Sequence, residues 1–338
     1  MSELTTPAER MNLTGHADTE ASLRRAMGEG ALSHGWIIAG GIGAGKATLA
    51  YRIARAVLDP AALYNEQDLE IADGGQTVRL IAQGAHPDLF VAERQWIEKT
   101  SKYQTEITIE SVRRLTQFMS HTPAFGGARV AIIDTADDLN RNAANALLKV
   151  LEEPPANTLL LLLSATPGRL LATIRSRCRR IDLRPVAAAD ICALLEDEEL
   201  AEGDEAARIA DHADGRPGYA LRLAAAGGAA ALSLAHAFLK GAREGDVRAI
   251  AAKYSARTSA DEWEYFISAI TGALSDAARA GARGRAIDGP LSGISPAELA
   301  DAWERLAHLA SRGETLNLDR AQIVSAMGHD LNRIFEAA

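Results

Sequence analysis

At 338 residues the chain is long enough for two or three domains with a proper core, and its composition is that of an ordinary globular protein. A net charge of −9 argues against a nucleic-acid footprint spread over the whole surface, while leaving room for a local basic stripe. Only two cysteines occur, Cys178 and Cys192, too few for a four-cysteine zinc site or a disulfide framework, so free thiols in a reducing cytoplasm are expected. The first ten residues carry no apolar run behind positive charge, so no secretory signal is expected. The apolar run at 159–163 is too short to span a bilayer, and no membrane partner is expected.

In chain order, residues 35–39 (G-W-I-I-A) predict a short buried strand, 40–47 (G-G-I-G-A-G-K-A) a glycine loop, and 46–58 a helix with an apolar stripe. Periodicity is poor from 58 to 86, and 72–75 has the composition of a loop insertion. Apolar runs at 89–92, 130–134, 159–164 and 180–183 predict four more strands. Between them, 142–153 predicts a helix, with apolar Ala143, Ala146, Leu147, Val150 and Leu151 on one face and Pro154-Pro155 as its stop. Beyond Pro185 the strand signals vanish. Small helices are expected to about 226, with Gly215, Pro217 and Gly218 marking a turn, and alanine-rich helices from about 228 to 338, broken near 281–293 and at Gly313. The expected architecture is an α/β P-loop domain with a mostly parallel sheet at 1–185, a small helical lid at 186–227 and an all-α domain at 228–338.

The glycine loop carries the clearest chemistry. A phosphate-binding loop needs backbone N–H groups converging on phosphate oxygens, a helix N-terminus facing the anion, and a lysine reaching the terminal phosphates. Gly40, Gly41, Gly43, Gly45 and Lys46 supply these. The hydroxyl that normally follows the lysine and ligates Mg²⁺ is missing, because position 47 is alanine. Thr48 comes one residue later, about 100° further round the helix, where it can touch a phosphate but not the metal position. Asp134 ends an apolar strand, as the carboxylate that holds Mg²⁺ does in P-loop enzymes, although capping and turn roles explain such an aspartate equally well.

The string D-D-L-N-R-N-A-A-N-A-L-L-K-V-L-E-E-P-P-A-N-T at 137–158, with T-I-R-S-R-C at 173–178, resembles the clamp-loader branch of the AAA+ family, the ring ATPases that load sliding clamps at replication forks. G-H at Gly15-His16, G-A-H-P-D at 84–88 and L-N-L-D-R at 316–320 extend the resemblance along the chain. It implies an AAA+ P-loop domain, a lid and a helical collar that seals a pentameric ring. It also implies partners: gamma/tau and delta clamp-loader subunits in the ring, and the sliding clamp and primer-template DNA through the complex.

In this branch the arginine of the S-R-C motif reaches into the ATP site of the ring neighbour, and here that position is Arg177. A planar, permanently charged guanidinium suits charge developing on a transferring phosphoryl group. The plainer reading is a structural ion pair within a basic cluster that includes Arg175, Arg179 and Arg180. An active member would place glutamate after the strand aspartate, where this chain has Thr135, and a γ-phosphate-sensing arginine in a G-x-x-R-x-A-L turn, where G-R-P-G-Y-A-L puts Gly218. With Ala47, three positions that serve transition-state stabilisation lack their chemistry. The resemblance therefore implies a stator without useful ATP hydrolysis, needing no cofactor. Weak ATP binding at Gly40, Gly43, Gly45, Lys46, Thr48 and Asp134 stays open, and the alternative is an active gamma/tau-like motor. Family members often carry four cysteines shortly before the H-P-D segment. None precedes His86, so no zinc is expected and His86 is expected to be a satisfied structural histidine. Lys99, Lys102, Arg113 and Arg114 could face DNA phosphates, with ordinary solvated surface as the plainer reading. No carboxylate-rich nucleotidyl-transfer site is recognisable, so no polymerase chemistry is expected of this chain.

Overall fold

A computed structural model describes residues 4–63, 67–97, 102–254, 260–287, 289–316 and 318–337. By packing, the chain divides into two compact units, one of Glu3–Leu194 with Ala213–Tyr219 and one of Leu195–His212 with Ala220–Ala338.

The first unit is an α/β layer structure. Its elements are α1 (Ala17–Gly28), β1 (Gly35–Ala39), α2 (Lys46–Leu58), α3 (Gln76–Ala82), β2 (Leu89–Glu93), β3 (Trp96–Ile97), β4 (Lys102–Tyr103), α4 (Ile109–Ser120), β5 (Arg129–Asp134), α5 (Arg141–Glu152), β6 (Thr158–Ser164), α6 (Ala172–Arg175) and β7 (Arg179–Asp182). Five strands form one parallel sheet in the order β2-β5-β6-β1-β7. Parallel strands are covered on both faces, which is why these segments read as continuous apolar runs rather than alternating ones. Alternation survives in where the residues point. Ile37, Leu160, Leu162, Ala131 and Ile133 join Val112 and Leu115 of α4 and Leu147 and Leu151 of α5 on one side. Ile38, Leu161, Leu163, Val130 and Ile132 join Leu49 and Ile53 of α2 and Leu23 of α1 on the other.

α5 begins where its sequence says it should. Asn140 accepts the Ala143 N–H at 2.9 Å as an N-cap, and the two prolines after Glu153 stop the helix. The 58–86 region, where the sequence shows poor periodicity, contains α3, a helix of seven residues too short to show an amphipathic period. The two-residue strands β3 and β4, paired antiparallel through Trp96 and Tyr103, escaped the sequence reading for the same reason.

Three more helices, α7 (Ala188–Asp197), α8 (Gly203–Ala213) and α9 (Pro217–Ala225), follow the sheet. The second unit is built on α10 (Gly228–Glu244), α11 (Arg248–Lys253), α12 (Ala260–Ala282), α13 (Pro296–Thr315) and α14 (Arg320–Ala337) around Phe238, Trp263, Phe266, Leu306, Val324 and Met327. The expected break at Gly313 is absent, since α13 runs through it. A Cβ there would lie 2.9 Å from Ile323 Cγ1, so this glycine lets α13 and α14 pack closely instead of ending a helix. The L-N-L-D-R string, whose Asn317 lies outside the described residues, supplies the start of α14. Asp319 Oδ1 accepts the Gln322 N–H at 3.1 Å, and Arg320 stacks 5.3 Å over the Trp263 ring.

Candidate functional site

The glycine loop joins the C-terminal end of β1 to α2, the crevice position where open parallel sheets bind ligands. Gly43 and Gly45 take φ of +85° and +96°, a left-handed backbone that a side chain would strain. Gly45 is the N-cap of α2 and no side chain caps the helix, so its leading N–H groups are available to an anion. Lys46 Nζ donates to the loop's own carbonyls, Gly40 O at 2.8 Å and Gly41 O at 2.9 Å. Thr48 is buried, and Ala47 packs on the apolar face of the sheet. These residues fit a phosphate cradle and not a metal-ligating hydroxyl.

The start of α9 lies directly on this loop. Gly218 N–H donates to Gly43 O at 2.8 Å, and a Cβ on Gly218 would come 3.1 Å from that carbonyl oxygen. A Cβ on Gly43 would meet Tyr219 N at 2.5 Å. Arg216 stacks 4.6 Å over the Tyr219 ring and donates through Nε to Ala213 O, with its stem against Gly41. The arginine nearest to Gly218 is thereby committed to its own turn.

Asp134 stands at the end of β5 beside Glu93, its register partner on β2. Burial raises the Asp134 carboxyl above its usual range, Glu93 and Asp138 add to this, and Lys46 opposes it. Tyr51 on α2 shares this environment, and burial together with Glu93 and Asp134 pushes its hydroxyl up to about 12. Thr135, in the glutamate position, donates its hydroxyl to Leu163 O at 2.8 Å and so ties the end of β5 to β6. Asp137 does the same more strongly. It accepts from Ser164 Oγ, Ala165 N and both polar groups of Thr166, and although burial works to raise this carboxyl, those bonds hold it below the usual range.

Arg177 follows the single turn of α6 and is half-buried. Its Nη2 lies 2.8 Å from Glu152 Oε1, the last residue of α5, and its Nη1 donates to Thr173 O at 3.0 Å. The ion pair of the plainer reading thus exists, with the side chain still 35% exposed. Cys178 is tucked against Gly35, and burial pushes its thiol up to about 11, an inert structural thiol.

The H-P-D segment is structural. Asp88 accepts the N–H groups of Ala124 and Phe125 at 2.7 and 3.0 Å and pairs with buried Arg129, which donates to Phe118 O and Thr122 O and lies 4.5 Å over the Phe118 ring. His86 Nδ1 accepts the Asp88 N–H at 3.1 Å, which places the proton on Nε2, a buried nitrogen with no hydrogen-bond partner among the described residues. The histidine is therefore satisfied at one nitrogen rather than two. Among the described residues no group of three or more His, Cys, Asp or Glu side chains could hold a metal ion. Arg113 and Arg114 are both exposed on α4, Lys102 opens β4, and Lys99 lies outside the described residues. No single helix among the described residues is long and apolar enough to cross a membrane.

The Gly15-His16 pair has a structural role that its sequence position does not announce. His16 is buried, and its Nε2 bonds to Ala44 O at 3.1 Å, so it braces the glycine loop. Glu93 and Asp137, the latter at the head of the D-D-L-N-R string, carry no role readable from the sequence either. Glu93 had no signal, since only strand pairing brings it to Asp134, whereas the paired aspartates at 137–138 mark a position without its role.

The chain is 40% identical over 148 residues to DNA polymerase III subunit delta' of Pseudomonas aeruginosa, covering 43% of this chain and 42% of that one. It is 36% identical over 145 residues to the Escherichia coli K12 subunit of the same name, again covering 43% and 42%. DNA polymerase III subunit tau of Salmonella typhimurium is 30% identical over 192 residues, covering 56% of this chain and 28% of that one. The matches thus span under half the length of these curated relatives. Among solved structures, a DNA polymerase III gamma subunit-related protein of Thermotoga maritima aligns over 93% of this chain and 98% of its own, with TM-score 0.46 and 15% identity. Residues 15–187, more than half of the chain, match the family model described as DNA polymerase III, delta subunit, and the chain belongs to that family.

Proposed function

We propose that the chain is a clamp-loader subunit in DNA replication, a stator that does not hydrolyse ATP and that offers Arg177 to the ATP site of a ring neighbour. Its partners would be gamma/tau and delta subunits in a pentameric ring, acting together on the sliding clamp and primer-template DNA. Family membership and the delta' relatives support the coarse assignment.

The observation that carries the finer reading is the fate of Thr135. Where a water-polarising glutamate would stand, the hydroxyl is bound to Leu163 O and serves the sheet. Ala47 and Gly218 concur, one packed on the core and the other pressed against Gly43. Arg177, by contrast, keeps a partly exposed guanidinium just beyond α6. A guanidinium delivered across a subunit boundary can accelerate phosphoryl transfer by about 10³–10⁵ without any nucleotide of its own.

The test is a ring reconstituted with Arg177→Ala, assayed for DNA-stimulated ATPase activity and clamp loading. A loss of both supports the stator reading, and unchanged rates end it. Binding of ATP without turnover is a second reading, favoured by the uncapped N-terminus of α2 and by the attraction between Lys46 and Asp134. Fluorescent ATP titrated onto the isolated chain decides it.

A further inference from the structure

The pair formed by Glu152 and Arg177 ties together two helix ends that the sheet brings to the same place. Glu152 is the last residue of α5, where the backbone carbonyls already present partial negative charge, so an unpaired carboxylate there is unfavourable. Arg177 relieves it from the α6 side, with Nη2 2.8 Å from Glu152 Oε1. Its other terminal nitrogen is fixed by Thr173 O at 3.0 Å, a carbonyl of α6, and lies 3.4 Å from Ser176 Oγ. Both ends of the guanidinium fork are thus held, one by each helix, while 35% of the side chain stays open to solvent.

We infer that Glu152 is a positioning residue for Arg177, fixing the guanidinium in the posture from which it meets a neighbouring subunit's phosphates. A long arginine free in solvent samples many rotamers, and holding it by two acceptors removes that search before the phosphate arrives. The plane keeps donors to spare, because a guanidinium carries five N–H groups and the contacts to Glu152, Thr173 and Ser176 leave others unused. The inference rests on the reading of Arg177 given above.

The experiment uses the reconstituted ring with wild-type chain, Glu152→Ala, Glu152→Gln, Arg177→Ala and the double variant Glu152→Ala/Arg177→Ala, measuring kcat and KM for DNA-stimulated ATP hydrolysis. A solvent-screened pair of this kind is worth at most about fivefold, so Glu152→Ala should lower kcat about three- to fivefold with KM unchanged. Glu152→Gln keeps an acceptor at the same reach and should fall between wild type and Glu152→Ala. In the Arg177→Ala background Glu152→Ala should have no further effect. If Arg177→Ala is slow but Glu152→Ala matches wild type or is faster, the positioning role is overturned and the Arg177 reading stands. Additive losses in the double variant overturn it as well, since Glu152 would then act through the fold. If Arg177→Ala itself matches wild type, the Arg177 reading fails and the inference fails with it.

Discussion

Single side chains in the first unit do structural work that the family motifs hide. Asp88 holds the turn after α4 through two backbone N–H groups and is the carboxylate beside buried Arg129. Removing it leaves Arg129, a residue 8% exposed, without its countercharge, so Asp88→Ala should cost about 3 kcal/mol, read as a lower urea midpoint at unchanged m-value. The histidines set a pH window. Burial lowers the pKa of both His16 and His86 below the ordinary 6.5, with the Ala44 carbonyl partly opposing this for His16 and Asp88 for His86. A base whose folded pKa is depressed contributes stability that is complete above its unfolded pKa and is lost as pH falls through the folded one. Glu20 and Asp134, whose carboxyls are raised, act in the opposite sense, chiefly at lower pH. The urea midpoint should therefore fall as pH drops below about 6.5 and change little between about pH 7 and 8, before the buried Cys178 thiol begins to cost stability at higher pH, and His86→Gln should show a shallower acid-side fall. A midpoint that rises on acidification from about pH 7 to 6 would contradict the assignment.

At the scale of elements, the sheet was legible because its strands are buried on both faces and so read as plain apolar runs. All five lie within a residue or so of where the sequence puts them. The hairpin of β3 and β4 was not legible, since two residues per strand show no period, and neither was α3. The strand-loop-helix turn at 40–46 was legible from its glycines and lysine, but its contact with Gly218 and Tyr219 was not, because nothing in the spacing places α9 on Gly43. Gly313 misled for a physical reason: composition cannot distinguish a glycine that breaks a helix from one that admits a neighbour. Alanine there gains about 1 kcal/mol of helix propensity but forces a methyl into Ile323, which is 3% exposed and has little room to yield. Overpacking costs about 1–3 kcal/mol, so Gly313→Ala should be net destabilising by about 1 kcal/mol, measurable as a lower thermal midpoint. Ile323→Val in the same chain, which removes the Cδ1 methyl, should recover part of the loss; a more stable Gly313→Ala would mean that propensity wins.

For the whole molecule the proposed stator and motor roles differ in which nucleotide site they use. The glycine loop has left-handed glycines, a helix N-terminus with no side-chain cap and Lys46, features that suit a phosphate, while Ala47, Thr135 and Gly218 offer no metal ligand, water-polarising carboxylate or phosphate-sensing cation. Lys46 in particular is engaged with Gly40 O and Gly41 O, so it helps to hold the loop shut upon itself. Arg177 lies beside Gly35, at the opposite end of β1 from that loop, and contacts Glu152 and Thr173, neither of which belongs to the loop. The two residues therefore separate the stator and motor readings within one assembly. In a reconstituted ring, the stator reading expects Lys46→Ala to leave DNA-stimulated ATP hydrolysis within about twofold of wild type, since a residue outside the working sites contributes nothing to transition-state stabilisation. Arg177→Ala should lower it at the adjoining site by far more, toward the roughly 10³-fold that a missing arginine finger removes, diluted in the total rate by the ring's other sites. The motor reading expects the reverse order, with Lys46→Ala abolishing hydrolysis by this chain. Comparing both variants in the same preparation makes the ranking independent of how fast the ring turns over, and a ring slowed equally by both would mean that this subunit both binds nucleotide and acts on its neighbour's.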